Sequence, residues 1–196
     1  VSDFSSGNTG TIVSTGLGST GVGTGSINYV LDLDGTNDYV SLPNSINMGT
    51  SDFTLSIWLK TDDTGSRQHV FQQTGSNDNR VIAINSGGSL TSRLGGSGSD
   101  HVSGVTLSTD TWYHIVLVHD NSANTLKWYV NGTEQNTNTS VNVPSNTGTF
   151  YLGTNSDAND KYFNGQIDEV RIWNDVRTAA EIADNKDDEL VGNESG

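Results

Sequence analysis

The chain has no cysteine, one methionine and only two prolines among its 196 residues. The absence of cysteine excludes a disulfide framework and a thiolate metal site. Stability must come from a buried core, and a chain of this length can bury one as a single domain, 1–196. Basic residues are scarce too: 9 Lys and Arg stand against 23 Asp and Glu, a formal net charge of −14. Such a surface repels a phosphate backbone, which argues against nucleic-acid binding. No run approaches the roughly 18 apolar residues of a membrane span. No charged-then-apolar leading segment reads as a signal peptide, and the chain is expected to be a piece of a longer protein.

What is abundant is glycine, 23 residues of it, with much Ser, Thr and Asn, the composition of many short strands joined by turns. Residues 1–28 are Gly-, Ser- and Thr-rich, yet Thr11–Val13 and the run into Val30 carry enough β-formers to predict an ordered leading segment. Phe53, Leu55, Ile57 and Leu59 alternate along one strand face. Trp112 to His119 is apolar on both faces, as a central strand would be. Leu126–Val130 runs into Asn131-Gly132, the dipeptide of a type I′ hairpin turn. One helix is signalled: Thr178-Ala179-Ala180-Glu181 is a capping box opening a short helix to about Ala183, beyond which the acidic tail, 184–196, is expected to fray. Twelve to fourteen short strands in one chain predict an all-β, two-sheet antiparallel jelly-roll sandwich.

The segment Asn164 to Trp173 makes one pointed claim. Asp168 shares its parity with Val170 and Ile172, so an unbroken strand that buries those two turns the carboxylate toward the core as well. A buried carboxylate needs a cation, a basic side chain or several N–H donors, and in a chain so poor in Lys and Arg a bound metal is the expected partner.

Taken in order, Leu31-Asp32-Leu33-Asp34-Gly35-Thr36-Asn37-Asp38-Tyr39-Val40, Phe53-Thr54-Leu55-Ser56-Ile57-Trp58, Trp112-Tyr113-His114-Ile115-Val116, Lys127-Trp128-Tyr129-Val130-Asn131-Gly132 and Gly165-Gln166-Ile167-Asp168-Glu169-Val170-Arg171-Ile172-Trp173 resemble the laminin-G-like, concanavalin A-like jelly rolls of bacterial surface proteins. The resemblance covers roughly residues 30–183. It implies two antiparallel sheets, one of them concave, with calcium and ligand held on rim loops. It also implies a carbohydrate-binding module of a secreted or cell-surface protein, such as an adhesin. A protein-interaction or spacer domain, or an accessory domain of a polysaccharide-degrading enzyme, is the alternative.

Three groups of residues are candidates for a site. The turn Asp34 to Asp38, together with Asp168, offers the oxygens that hard Ca²⁺ takes in sets of about 6 to 8. The loop Asn155 to Asp160, through Asn155, Asp157 and Asp160, offers a second oxygen set, with Asp157 and Tyr162 placed to engage a sugar. The loop at Asn77 and Asp78 could bind sugar hydroxyls, with Arg80 beside it for a carboxylated sugar. All three segments also suit ordinary solvated turns. The four tryptophans are expected in or near the core, Trp58 lying opposite the Phe53/Leu55/Ile57 face. His114 and His119, five apart in a strand, face opposite sides and exclude a local zinc site. No paired carboxylates face one cleft, and there is neither a Cys nucleophile nor a Gly-x-Ser-x-Gly elbow, so no enzymatic activity is expected.

Overall fold

The computed structural model describes residues 11–13, 17–18, 30–42, 50–74, 80–94, 100–141, 143, 148–155 and 161–188. In chain order these form β1 (Thr11–Val13), β2 (Leu17–Gly18), β3 (Val30–Asp34), β4 (Tyr39–Leu42), β5 (Phe53–Thr61), β6 (Gln68–Gln73), β7 (Arg80–Ile84), β8 (Ser89–Leu94), β9 (His101–Thr106), β10 (Trp112–Asp120), β11 (Thr125–Val130), β12 (Thr133–Thr139), β13 (Phe150–Leu152), β14 (Asn164–Trp173) and α1 (Ala179–Asp184). They build two seven-stranded sheets, ordered β1-β4-β13-β6-β7-β8-β9 and β12-β11-β10-β5-β14-β3-β2. The first is called here the β6 sheet and the second the β5 sheet. All pairings are antiparallel, the jelly-roll sandwich that the strand spacing implied. The leading segment contributes β1 and β2, one at an edge of each sheet.

The alternation of period two does the folding work. Phe53, Leu55, Ile57 and Leu59 of β5 meet Phe71, Ile82, Ile84, Leu90 and Phe150 of the other sheet in one core, all nearly free of solvent. Each such side chain contributes roughly 1.5–3 kcal/mol through burial. β10 is apolar on its second face because α1 lies there. Val116, Val118 and Tyr129 form a small separate cluster with Ile182 of the helix. The helix starts as expected, with Thr178 and Glu181 completing a capping box.

β14 departs from the sequence reading. Asp168 pairs with Trp58 and Arg171 with Ser56, so three steps along β14 match two along β5. The extra residue is a β-bulge, and Glu169 takes φ +48° there. Parity therefore reverses within the strand. Ile167 is in the core before the bulge, while Val170 and Ile172 pack against the core after it. Asp168 lies on the outer face, opposite to the expectation, and its Oδ1 accepts a hydrogen bond from the Glu169 N–H at 2.9 Å. The inward carboxylate that called for a metal does not exist.

The expectation of a frayed tail is also corrected for residues 185–188. Arg171 Nη1 donates to the Asn185 carbonyl at 3.0 Å, and its Nη2 donates to the Asp188 carbonyl. The Trp58 Nε1–H donates to the Lys186 carbonyl at 2.9 Å. Residues 189–196 lie outside the described residues.

Asn131 and Gly132 take φ 51° and 79°, the pair of positive values that a type I′ turn demands. Gly132→Val places a β-branched side chain in the left-handed region and is expected to destabilise the fold by about 1–2 kcal/mol. Urea unfolding measures this, and an unchanged midpoint would contradict the turn assignment.

Candidate functional site

β6 serves as a ruler for the loops. Gln73, at its C-terminal end, pairs with Arg80 and Phe150. Toward its other end, the His69 N–H donates to the Lys161 carbonyl at 3.0 Å. The loop carrying Asn77 and Asp78 thus leaves one end of the sandwich and the loop after Asn155 leaves the other. Asn77, Asp78, Asp157 and Asp160 themselves lie outside the described residues. Arg80 is not a surface reader of carboxylates. It is fully buried, its guanidinium stands 5.9 Å from the centre of the Phe53 ring, and Nη1 donates to Gln73 Oε1 at 2.9 Å. Burial alone lowers its pKa to about 10.

The pairing of Asp34 with Asp168 fails on distance. Asp34 pairs with Asn164 in the β3–β14 ladder, and Asp168 is four residues further along, about 13 Å away. Asp34 instead closes its own turn, Oδ1 accepting from the Thr36 N–H at 2.8 Å. Among the described residues, no group of three or more Asp, Glu, His or Cys side chains is placed to hold a metal.

What the fold does join is the end of the first candidate turn and the start of the second candidate loop. Val40 pairs with Leu152 as the last pair of the β4–β13 ladder, and the chain before Val40 runs on beside the chain after Leu152. Gly153 lies there at φ +84°, where a Cβ would come within 3.5 Å of the Asp38 carbonyl and 2.4 Å of Leu33 Cδ1. Asp38 is 3%, Thr154 0% and Asn155 6% exposed. Thr154 Oγ1 is buried with no hydrogen-bond partner. Three residues with buried oxygen-bearing side chains thus come from adjoining backbone at the root of one loop. Tyr162 is half-buried at the loop's far end, next to Phe163, whose N–H donates to the Gly153 carbonyl at 2.9 Å.

Beside this root begins a surface that the sequence reading passed over. On the outer face of the β6 sheet, the rings of Tyr39 and Tyr151 lie 6.1 Å apart. The cross-strand pairs Tyr151–Gln72, Gln72–Val81 and Val81–Arg93 form one row across four strands, but Gln72 and Val81 are buried and only its two ends, Tyr151 and Arg93, reach solvent. A bulge in β6 lets His69 share that face, and its Nδ1 hydrogen-bonds Gln72 Oε1 at 3.1 Å. The signal was present in Ser89-Leu90-Thr91-Ser92-Arg93-Leu94, whose alternation sends Thr91 and Arg93 outward.

The outer face of the β5 sheet is by contrast occupied. Trp58 packs at a tilt against His114, ring centres 5.2 Å apart, beside the segment that its indole N–H anchors, so it offers no open platform. Burial, then Arg171 and Lys186 nearby, lower the His114 pKa from 6.5 to about 4. The folded protein keeps this ring neutral while the unfolded chain protonates it. Its share of stability is full above about pH 6.5 and is lost as pH falls toward 4. His114→Gln is therefore expected to lose less stability than the wild type between pH 7 and 4 in urea unfolding; parallel losses would contradict the buried neutral imidazole. At the loop root, Gly153→Ala is expected to lower the thermal midpoint, because its methyl group collides with Leu33. An unshifted midpoint would show that this close approach is absent.

Solved structures share the fold. Domain 4 of AbnA, a GH43 extracellular arabinanase from Geobacillus stearothermophilus in complex with arabinotriose, is 24% identical, with 89% of this chain and 86% of that chain covered at a TM-score of 0.67. The native heptameric SAP-like pentraxin from Limulus polyphemus is 14% identical, with 82% of each chain covered at 0.63. The botulinum neurotoxin serotype G binding domain is 12% identical, with 93% of this chain and 46% of that chain covered at 0.70. No curated protein matches the sequence. Residues 34–183 match the family of the concanavalin A-like lectin/glucanases superfamily, laminin-G type, and this chain belongs to it.

Proposed function

We propose that the chain is a non-catalytic, calcium-dependent glycan-binding module of a secreted or surface protein, with its site at the root of the loop between Asn155 and Lys161. The observation that carries this reading is that the backbone brings Asp38 next to the Gly153–Asn155 turn, with Asp38, Thr154 and Asn155 all buried and the half-buried Tyr39–Tyr151 pair adjoining in sequence. Polar oxygens next to aromatic rings suit a sugar, whose hydroxyls take hydrogen bonds while its apolar face covers a ring.

The donor set fits calcium in kind. A carboxylate, a carboxamide and a buried hydroxyl without a partner are all oxygen donors, which Ca²⁺ prefers over nitrogen or sulfur. Asp38 and Asn155 would hold the ion, with backbone carbonyls completing its shell. Bound there, calcium would fix the loop root and present charge to hydroxyl oxygens. Saturation at a hundredfold excess over its dissociation constant would stabilise the fold by about 2.7 kcal/mol.

Two parents suit such a module: an adhesin, which it would attach to a glycan-coated surface, and a polysaccharide-degrading enzyme, which it would keep on its substrate. The likeness to a domain of an extracellular arabinanase favours the second. No helix among the described residues is long and apolar enough to cross a membrane.

A glycan array probed with calcium and again with chelator tests the reading. Calcium-dependent hits are expected. Asp38→Ala and Tyr151→Ala are each expected to weaken them by more than about tenfold, equivalent to 1.4 kcal/mol. Silence under both conditions would favour a structural spacer. Hits indifferent to chelator would remove calcium from the account while leaving the glycan site.

A further inference from the structure

A chain with 9 Lys and Arg against 23 Asp and Glu brings two of its arginines to one carboxylate on the outer face of the β6 sheet. Arg67 Nη1 donates to Asp100 Oδ2 at 2.9 Å, and Arg93 donates to Asp100 Oδ1 through Nε at 3.0 Å and Nη2 at 2.7 Å. Arg67 Nη1 also donates to Asn85 Oδ1, and Asn85 Nδ2 donates to Thr91 Oγ1 at 3.3 Å. Both guanidiniums are thereby held in fixed orientation. The cluster carries two positive charges and one negative, and Asp100 is kept ionised: both arginines hold its pKa low against the effect of burial.

These arginines are not spent on stability alone. Their side chains remain 30% and 41% exposed while Asp100 is 18% exposed. Arg93 Nη1, Arg67 Nε and Arg67 Nη2 make none of the hydrogen bonds of the cluster. An exposed ion pair adds only about 0–1 kcal/mol, so stability gives little reason to concentrate scarce cations here. A net positive spot on a chain of charge −14 attracts an anion, and a guanidinium with spare N–H groups matches the plane of a carboxylate. The spot also lies toward the same end of the sandwich as the loop root: Arg67 is two residues before His69, whose N–H donates to the Lys161 carbonyl at 3.0 Å.

We propose that Arg67 and Arg93, braced by Asp100, form an acidic-sugar subsite, and that the ligand is a glycan carrying a carboxylate. This rests on the glycan-binding reading and adds the class of glycan. Asp100 is a positioning residue that orients both guanidiniums and does not touch the ligand.

The test is an array of uronate- and sialate-containing oligosaccharides printed beside their carboxyl-reduced counterparts and a sulfated set, with wild type, Arg93→Gln and Arg67→Gln, the two variants checked for folding by circular dichroism. Carboxylated members are expected to bind at least tenfold more tightly than their reduced forms. Either variant is expected to erase that difference while binding the reduced forms as the wild type does, and added salt is expected to narrow it. If neutral or sulfated glycans bind as well as carboxylated ones, or if both folded variants keep the preference, the subsite is overturned and the glycan-binding reading survives. If no printed glycan binds, both fall together.

Discussion

One extra residue in β14 decides what each side of the β5 sheet does. Had the strand run unbroken, burying Val170 and Ile172 would have turned Ile167 outward and Asp168 inward. The bulge at Glu169 lets Ile167 and Val170 both face the core. The cost is a non-glycine residue at φ +48°, and the Asp168 carboxylate helps to hold it by accepting the Glu169 N–H. Beyond the bulge Arg171 emerges on the outer face, paired with Glu169 at 2.8 Å, and reaches the carbonyls after α1. The bulge therefore stands behind the closure of that outer face over Trp58 and His114.

The outer face of the β5 sheet is closed by α1 and its following segment, and on the β6 sheet His69, Gln72, Val81 and Thr91 are buried as well, so accessible polar and aromatic groups are confined to the margins of that face. The polar and aromatic side chains found there divide accordingly. Trp58, half-buried beside a peptide segment, has its indole N–H satisfied internally. Tyr39, Tyr151, Arg67 and Arg93 keep accessible surface. The same logic explains why the charge of −14 is compatible with an anionic ligand: local arrangement, not net charge, sets the potential at a site.

The fold was legible because period-two alternation and turn residues are local signals. Phe53 to Leu59, the Asn131-Gly132 hairpin and the Thr178 capping box each declare themselves within a few residues. The site was legible only in part. Asp38 and Asn155 could be named from their oxygens, but the nearness of their backbone depends on the β4–β13 register between residues more than 100 apart. Asp168 was misread because a bulge leaves no reliable mark in Asp-Glu-Val-Arg, and one inserted residue inverts every parity beyond it. Arg80 was taken as a loop residue, whereas it begins β7 on the core-facing parity of Ile82 and Ile84. The Arg67–Asp100–Arg93 cluster joins three separate stretches of chain, and only tertiary structure brings them together.

The central claim is that recognition occurs at the root of the 155–161 loop and along the adjoining face of the β6 sheet. Backbone amide NMR during titration with a glycan identified on the array, in calcium, tests it most directly. The account expects the largest shifts at Asp38, Tyr39, Tyr151, Thr154 and Asn155, with Trp58, Asp168 and residues 185–188 unmoved. Shifts centred on Trp58 and the segment after α1, or on the opposite end of the sandwich around Gln73 and Arg80, would contradict it.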